Sequence, residues 1–136
     1  MTKFTDLNLN AKVLKAVVEA GYESPTPIQA GAIPPALEGR DVLGIAQTGT
    51  GKTASFTLPM ISILAQGRAK ARMPRSLILC PTRELAEQVA TVLRELGAAV
   101  VVPPGLEADD VLASVAAQAR KTLALQGARQ GQILCP

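Results

Sequence analysis

The stretch from residue 41 to residue 66 constrains this chain most. A short apolar run, Val42-Leu43-Gly44-Ile45-Ala46, is broken by Gln47-Thr48-Gly49-Thr50-Gly51, and Lys52-Thr53 then open a long helix-like segment reaching about Gln66. The apolar run reads as a strand and the segment after it as a helix. Between them, glycines let the backbone curl so that successive N–H groups point at one anion. The N-terminus of the following helix adds partial positive charge. Ala46-x-x-x-x-Gly51-Lys52-Thr53, after a strand and before a helix, is the pattern of a phosphate-binding loop. Gln47, Thr48, Gly49, Thr50 and Gly51 form the cradle. Lys52 can reach the outer phosphates, and the Thr53 hydroxyl can coordinate Mg2+. The expected ligand is ATP or ADP with Mg2+. Ala46 in place of glycine changes little, because that position needs only a tight strand exit.

The same punctuation organises the rest of the chain. Residues 10–20 predict a helix, with Val13, Leu14, Val17 and Val18 on one face, Asn10 as its cap and Gly21 at its end. Thr26-Pro27 predicts a cap followed by proline at the first helical position. That helix is expected to run to about Glu38, bending at Pro34-Pro35 and stopping at Gly39. Residues 67–75 read as a basic loop, 76–80 as a second strand, and 83–96 as an amphipathic helix. Residues 98–102 read as a third strand, Pro103-Pro104-Gly105 as a turn, 106–125 as a long helix and 132–135 as a short fourth strand. Strands alternating with helices imply a parallel sheet with right-handed crossovers. Ligands in such sheets bind at the carboxyl ends of the strands, where the loop after Ala46 sits. Ile78-Leu79-Cys80-Pro81 recurs as Ile133-Leu134-Cys135-Pro136, which suggests two strands built alike.

The chain has 136 residues, one domain's worth. Apolar residues make up 48% but aromatics only 2%, so the core must come from Ala, Val, Leu and Ile. No apolar run is long enough to span a membrane, and the N-terminus has no signal-peptide pattern. Cys80 and Cys135 each precede a proline and read as buried thiols in a reducing cytoplasm, or less readily as a disulfide. The net charge of +3 comes from the middle of the chain, where Arg68, Lys70, Arg72 and Arg75 cluster. That cluster is either a patch for phosphate-bearing partners or a solvated loop.

That loop and two further motifs resemble one family. Gly21-Tyr22-Glu23-Ser24-Pro25-Thr26-Pro27-Ile28-Gln29 resembles the Q motif of DEAD-box RNA helicases, with Phe4 upstream where that family places an aromatic. Residues 46–53 resemble its motif I, and Pro81-Thr82-Arg83-Glu84-Leu85-Ala86 its motif Ia. The resemblance covers about residues 1–90. It implies a three-layer, RecA-like α/β fold, a parallel sheet of about four strands with flanking helices, incomplete relative to a full helicase domain. In that reading residues 1–136 form one domain: a Q-motif helical region over 1–40, a loop and motif Ia core over 41–96, and a divergent segment over 97–136. The resemblance also implies that Gln29 hydrogen-bonds adenine, that Phe4 stacks on the ring, and that Pro81, Thr82 and Arg83 touch single-stranded RNA. The residues alone allow plainer roles. Gln29 can be a polar group on a helix face, Phe4 a clasp on the core, and Arg83 a first-turn charge.

The chain also departs from that pattern. Neither Asp-Glu-Ala-Asp nor Ser-Ala-Thr occurs in it. Hydrolysis needs a carboxylate for Mg2+ and a group that orients water, so the expectation is nucleotide binding without competent unwinding. Pro104-Gly105-Leu106-Glu107-Ala108-Asp109-Asp110-Val111 is similar instead to a metal-binding segment in the 5′-nuclease domains of bacterial family-A DNA polymerases. That similarity implies Mg2+ on Glu107, Asp109 and Asp110. The plain alternative is a helix start rich in acids, favoured by its dipole. Two similarities in one chain suggest a chimera joined near residues 90–100. The alternative functions are then a folded scaffold without activity or the remnant of a nuclease.

Overall fold

The computed structural model describes residues 2–67, 75–101, 105, 113, 116 and 117. The chain divides into two compact units, Met1–Val100 and Val101–Pro136. In the second, Gly105 stands in a turn at φ +74°, and Ala113, Ala116 and Ala117 are helical. These agree with the expected turn and helix there. The acids at 107, 109 and 110, the strand at 132–135 and most of the basic loop lie outside the described residues.

The first unit is a helical layer. A single 3-10 turn, Phe4–Leu7, precedes α1, Ala11–Glu19. Asn10 caps α1 as expected, its side chain accepting from the Lys12 amide at 3.0 Å. Helix α2 spans Pro27–Leu37 with Thr26 as N-cap, and Gly39 follows at φ +76°. Pro34 and Pro35 lie inside α2 rather than ending it. Their carbonyls serve its C-terminus, accepting from Glu38 N at 3.1 Å and Arg40 N at 3.0 Å. Helix α3 spans Lys52–Gln66, and Arg75 Nη1 satisfies the Leu64 carbonyl near its end at 2.8 Å. Helix α4 spans Arg83–Glu95, with Thr82 Oγ1 accepting from Leu85 N at 3.2 Å. It is unbroken across the start of the suspected join, and Leu96, Ala98 and Val100 after it pack on the core.

Helices α2 and α3 are the central packed pair. Gln29, Ala32 and Ile33 form the buried stripe of α2, at the spacing of one helix face. Helix α3 buries Thr57, Leu58, Pro59, Ile61 and Ser62, so most of its circumference is covered. Its polar side chains turn inward without loss, because Thr57 Oγ1 donates to the Thr53 carbonyl at 2.9 Å. Ser62 Oγ accepts from Asn10 N at 3.2 Å, which ties the start of α1 to α3. Phe4, Leu7, Val13, Val17, Val89 and Leu93 complete the core.

The sheet is where expectation and structure part. Residues 41–46, 75–80 and 98–101 form no strand ladder among the described residues. Leu43 is 90% exposed and Ile45 is 86% exposed. The reason is lateral. A parallel strand is stabilised by neighbours on both edges and by cover on both faces. An apolar run records the need for such neighbours but does not supply them.

Ile33, at 0% exposure, is the centre of the helical layer. Ile33→Ala should cost roughly 2–5 kcal/mol, read as a fall in thermal midpoint of ten degrees or more at roughly 4–8 °C per kcal/mol. Val18→Ala, at a 56% exposed site of α1, should move it by no more than a few degrees.

Candidate nucleotide-binding site

The loop between the 41–46 segment and α3 owes its shape to two glycines. Gly49 at φ +79° and Gly51 at φ +80° both adopt the left-handed conformation, which costs other residues energy. Gly51 is also the N-cap of α3, and its carbonyl accepts the first helical bond from Ser55 N at 3.2 Å. The first amides of α3 therefore have no partner inside the helix, and they open at the loop. Thr50 Oγ1 donates to the Gln47 carbonyl at 2.7 Å, which tightens the turn. Lys52 Nζ donates to the Ala46 carbonyl at 2.7 Å, so the ammonium folds back over the loop it begins. Gln47, Thr48 and Gly49 are exposed, and Thr50 and Gly51 half-buried.

Gln29 stands directly behind this loop. It is 7% exposed. Its Oε1 accepts from Thr26 N at 2.9 Å and its Nε2 donates to the Gly51 carbonyl at 3.2 Å. A Cβ on Gly51 would collide with that amide nitrogen. The Q-motif glutamine and the phosphate loop are thus in direct contact, 22 residues apart in sequence. Gly44 permits a second close approach, since a Cβ there would lie 3.1 Å from Ile28 Cδ1.

The other expected site residues are less closely gathered. Phe4 is 3% exposed and belongs to the core. Pro81 lines the same groove as Lys52, an apolar trough of about 920 Å3 floored by Ile28, Phe56 and Leu79. Thr82 and Arg83 are exposed at the start of α4, where Thr82 is the cap. Cys80 is a half-buried free thiol. No group of three His, Cys, Asp or Glu side chains gathers among the described residues. Tyr22, within the motif that the sequence analysis singled out, is 63% exposed on the turn leading to α2. Sequence reasoning missed the Gln29–Gly51 bond, which no spacing rule encodes because it depends on how two helices pack.

Comparison with known proteins agrees with this arrangement. Over 81% of its length the chain resembles the RNA helicase Prp28 from Chaetomium thermophilum bound to ADP. The TM-score is 0.69 at 37% identity, and 28% of that chain is covered. The fold class is therefore that of the RecA-like helicase domains. It is 55% identical over 97 residues to the ATP-dependent RNA helicase SrmB of Escherichia coli (strain K12), covering 71% of this chain and 22% of SrmB. It is 53% identical over 94 residues to the ATP-dependent RNA helicase DeaD of Klebsiella pneumoniae, covering 69% of this chain and 14% of that protein. The sequence model for DEAD/DEAH box helicases matches residues 26–133. The chain belongs to the DEAD/DEAH box helicase family. That match runs through residues 90–100, and neither a chimera nor a nuclease likeness finds support in it.

The two glycine environments predict opposite signs for one chemical change. Gly51→Ala should lower stability by roughly 1–2 kcal/mol through the left-handed backbone alone. Gly31→Ala should raise it by up to about 1 kcal/mol, since Gly31 is helical with nothing within 4 Å of a new Cβ. Thermal melts of the two variants check both signs.

Proposed function

We propose that this chain binds ATP with Mg2+ at the loop 46–53, makes weak contact with single-stranded RNA, and does not by itself unwind duplexes. The observation that carries the reading is the left-handed Gly49–Gly51 loop opening α3 with the Lys52 ammonium folded across it. The residues fit a nucleotide. Lys52 is exposed and held by one carbonyl, so an anion can take it from Ala46. Thr53 stands at the first turn, where its hydroxyl can join Mg2+. Bound Mg2+ would supply neutralisation of phosphate charge, and the helix start and Lys52 would add to it.

Gln29 suits adenine, because one amide both donates and accepts. The resemblance assigns Phe4 the stacking role. Its burial favours the core-clasp alternative, while Tyr22, in the same motif as Gln29, is 63% exposed. Phe4→Ala should then cost roughly 3–5 kcal/mol of stability, while Tyr22→Ala should weaken ATP binding with little change in the melt. Pro81, Thr82 and Arg83 are the RNA-contact candidates, and Arg83→Ala should reduce the salt slope of RNA binding by about 1.

Equilibrium binding of labelled ATP tests the main claim. Lys52→Ala should weaken it roughly tenfold or more, the value of a charge-assisted hydrogen bond. The melt without ligand should stay the same. Equal affinity in the two proteins would end the claim and leave an inert scaffold as the better reading.

A further inference from the structure

The trough extends well beyond the loop that opens α3. Its apolar surface comes from Ile28 and Ala32 of α2 and from Phe56, Pro59, Met60 and Ile63 of α3. Phe56 and Ile63 keep 41% and 44% of their surface exposed. Apolar surface gathered in one groove marks a place for a partner.

The walls set the shape of that partner. Val42 and Gly44 line the trough, whereas Leu43 and Ile45 are exposed. On the other wall Leu79 and Pro81 line it, whereas Ile78 and Cys80 pack on the core. Sides alternate residue by residue, as in a strand. No backbone N–H or C=O of residues 42–45 or 76–81 has a backbone partner among the described residues. Such groups pair with an extended peptide laid beside them. The main chain then gives affinity, and alternate side chains fill the apolar surface.

The rim adds charge. Lys52 and Arg75 line the trough, and no described Asp or Glu does. Neither cation has a carboxylate partner among the described residues. Lys52 Nζ donates to the Ala46 carbonyl, and Arg75 Nη1 to the Leu64 carbonyl. The two cations stand at the levels of residues 52 and 64 of α3, about 18 Å apart at 1.5 Å per residue. An extended chain covers that distance in about five or six residues.

We propose that the trough docks an extended peptide of another protein, apolar on one face and carrying an acidic side chain at each end. A second copy of this chain fits less well, because trough against trough sets the same cations against each other. The inference stands apart from the nucleotide reading, since Arg75 takes no part in that site.

A fluorescent seven-residue peptide with blocked ends tests it. The peptide alternates valine or isoleucine with threonine and has aspartate at both ends. Anisotropy should show saturable binding to the full chain. Replacing both aspartates by lysine should abolish binding. N-methylating every second amide, which removes the donors along one edge, should weaken it roughly tenfold or more. Arg75→Gln should weaken it roughly fivefold, the value of an exposed ion pair, with ATP binding unchanged. Ile63→Asp should abolish it by setting a like charge in the apolar surface. The proposal is overturned if the aspartate peptide does not bind, or if the lysine or N-methylated peptide binds equally well. It is also overturned if Arg75→Gln leaves the affinity as it was. A dimer in sedimentation that the peptide does not dissociate would make a second copy the occupant and overturn it as well.

Discussion

One carbonyl oxygen joins the two central helices. Gly51 O accepts the first bond of α3 from Ser55 N and a second from the side-chain amide of Gln29 on α2. Both bonds require Gly51 to hold φ near +80° without a side chain. The start of α3, the curl of the phosphate loop and the inward face of α2 are therefore one constraint. The buried stripe continues from Gln29 through Ala32 to Ile33, so the same helix face that carries the amide also carries the core. A disturbance at the loop is felt in the packing of α2 on α3. Conversely, the loop is held in shape by hydrophobic burial that contains no functional group.

The two sides of this helical layer are unequal. On the side of the 3-10 turn and α1, the layer is closed by Phe4, Leu7, Val13 and Val17. On the other side lies the trough flanked by residues 42–44 and 76–81. There Phe56 and Ile63 of α3 are still 41% and 44% exposed. A helix satisfies its own backbone and needs burial along one stripe only. A strand satisfies nothing by itself. Helices α1 to α4 consequently form from local signals, whereas the three apolar segments form no ladder among the described residues. The chain spans 22% or less of the two helicases compared.

This difference also explains what could be read from the sequence. The helices were legible almost to the residue, because caps and stops are local chemistry, as Asn10 before α1 and Thr26-Pro27 before α2 show. The left-handed loop that opens α3 was legible for the same reason, since its glycines, lysine and threonine lie within eight residues. The sheet has no ladder among the described residues, because hydrophobic runs at 41–46 and 76–80 state a preference for burial and say nothing of who buries them. Phe4 illustrates the same limit in the site. Its place in the sequence left ligand contact and a clasp on the core both open, and its burial beside Leu7 and Leu9 could be seen only once the core was packed. The Gln29–Gly51 contact depends on how α2 crosses α3, a tertiary fact with no sequence spacing behind it.

The locality of the site bears on what these residues can do. Every group proposed to hold the nucleotide's phosphates and base edge lies between Thr26 and Thr53. That stretch is closed by three short-range bonds, Thr26 N to Gln29, Lys52 to Ala46 and Thr50 to Gln47, and by the one tertiary bond from Gln29 to Gly51. Binding needs only such a fixed set of donors facing an anion. Cleavage of the terminal phosphate needs more, because a carboxylate must hold the metal and another group must orient water in line. Those groups have to arrive from distant segments and be placed with comparable accuracy. A locally closed cradle can therefore keep its affinity wherever α2 packs on α3. Turnover depends on long-range assembly, as the sheet does, so within this stretch recognition of the nucleotide is physically separable from its hydrolysis.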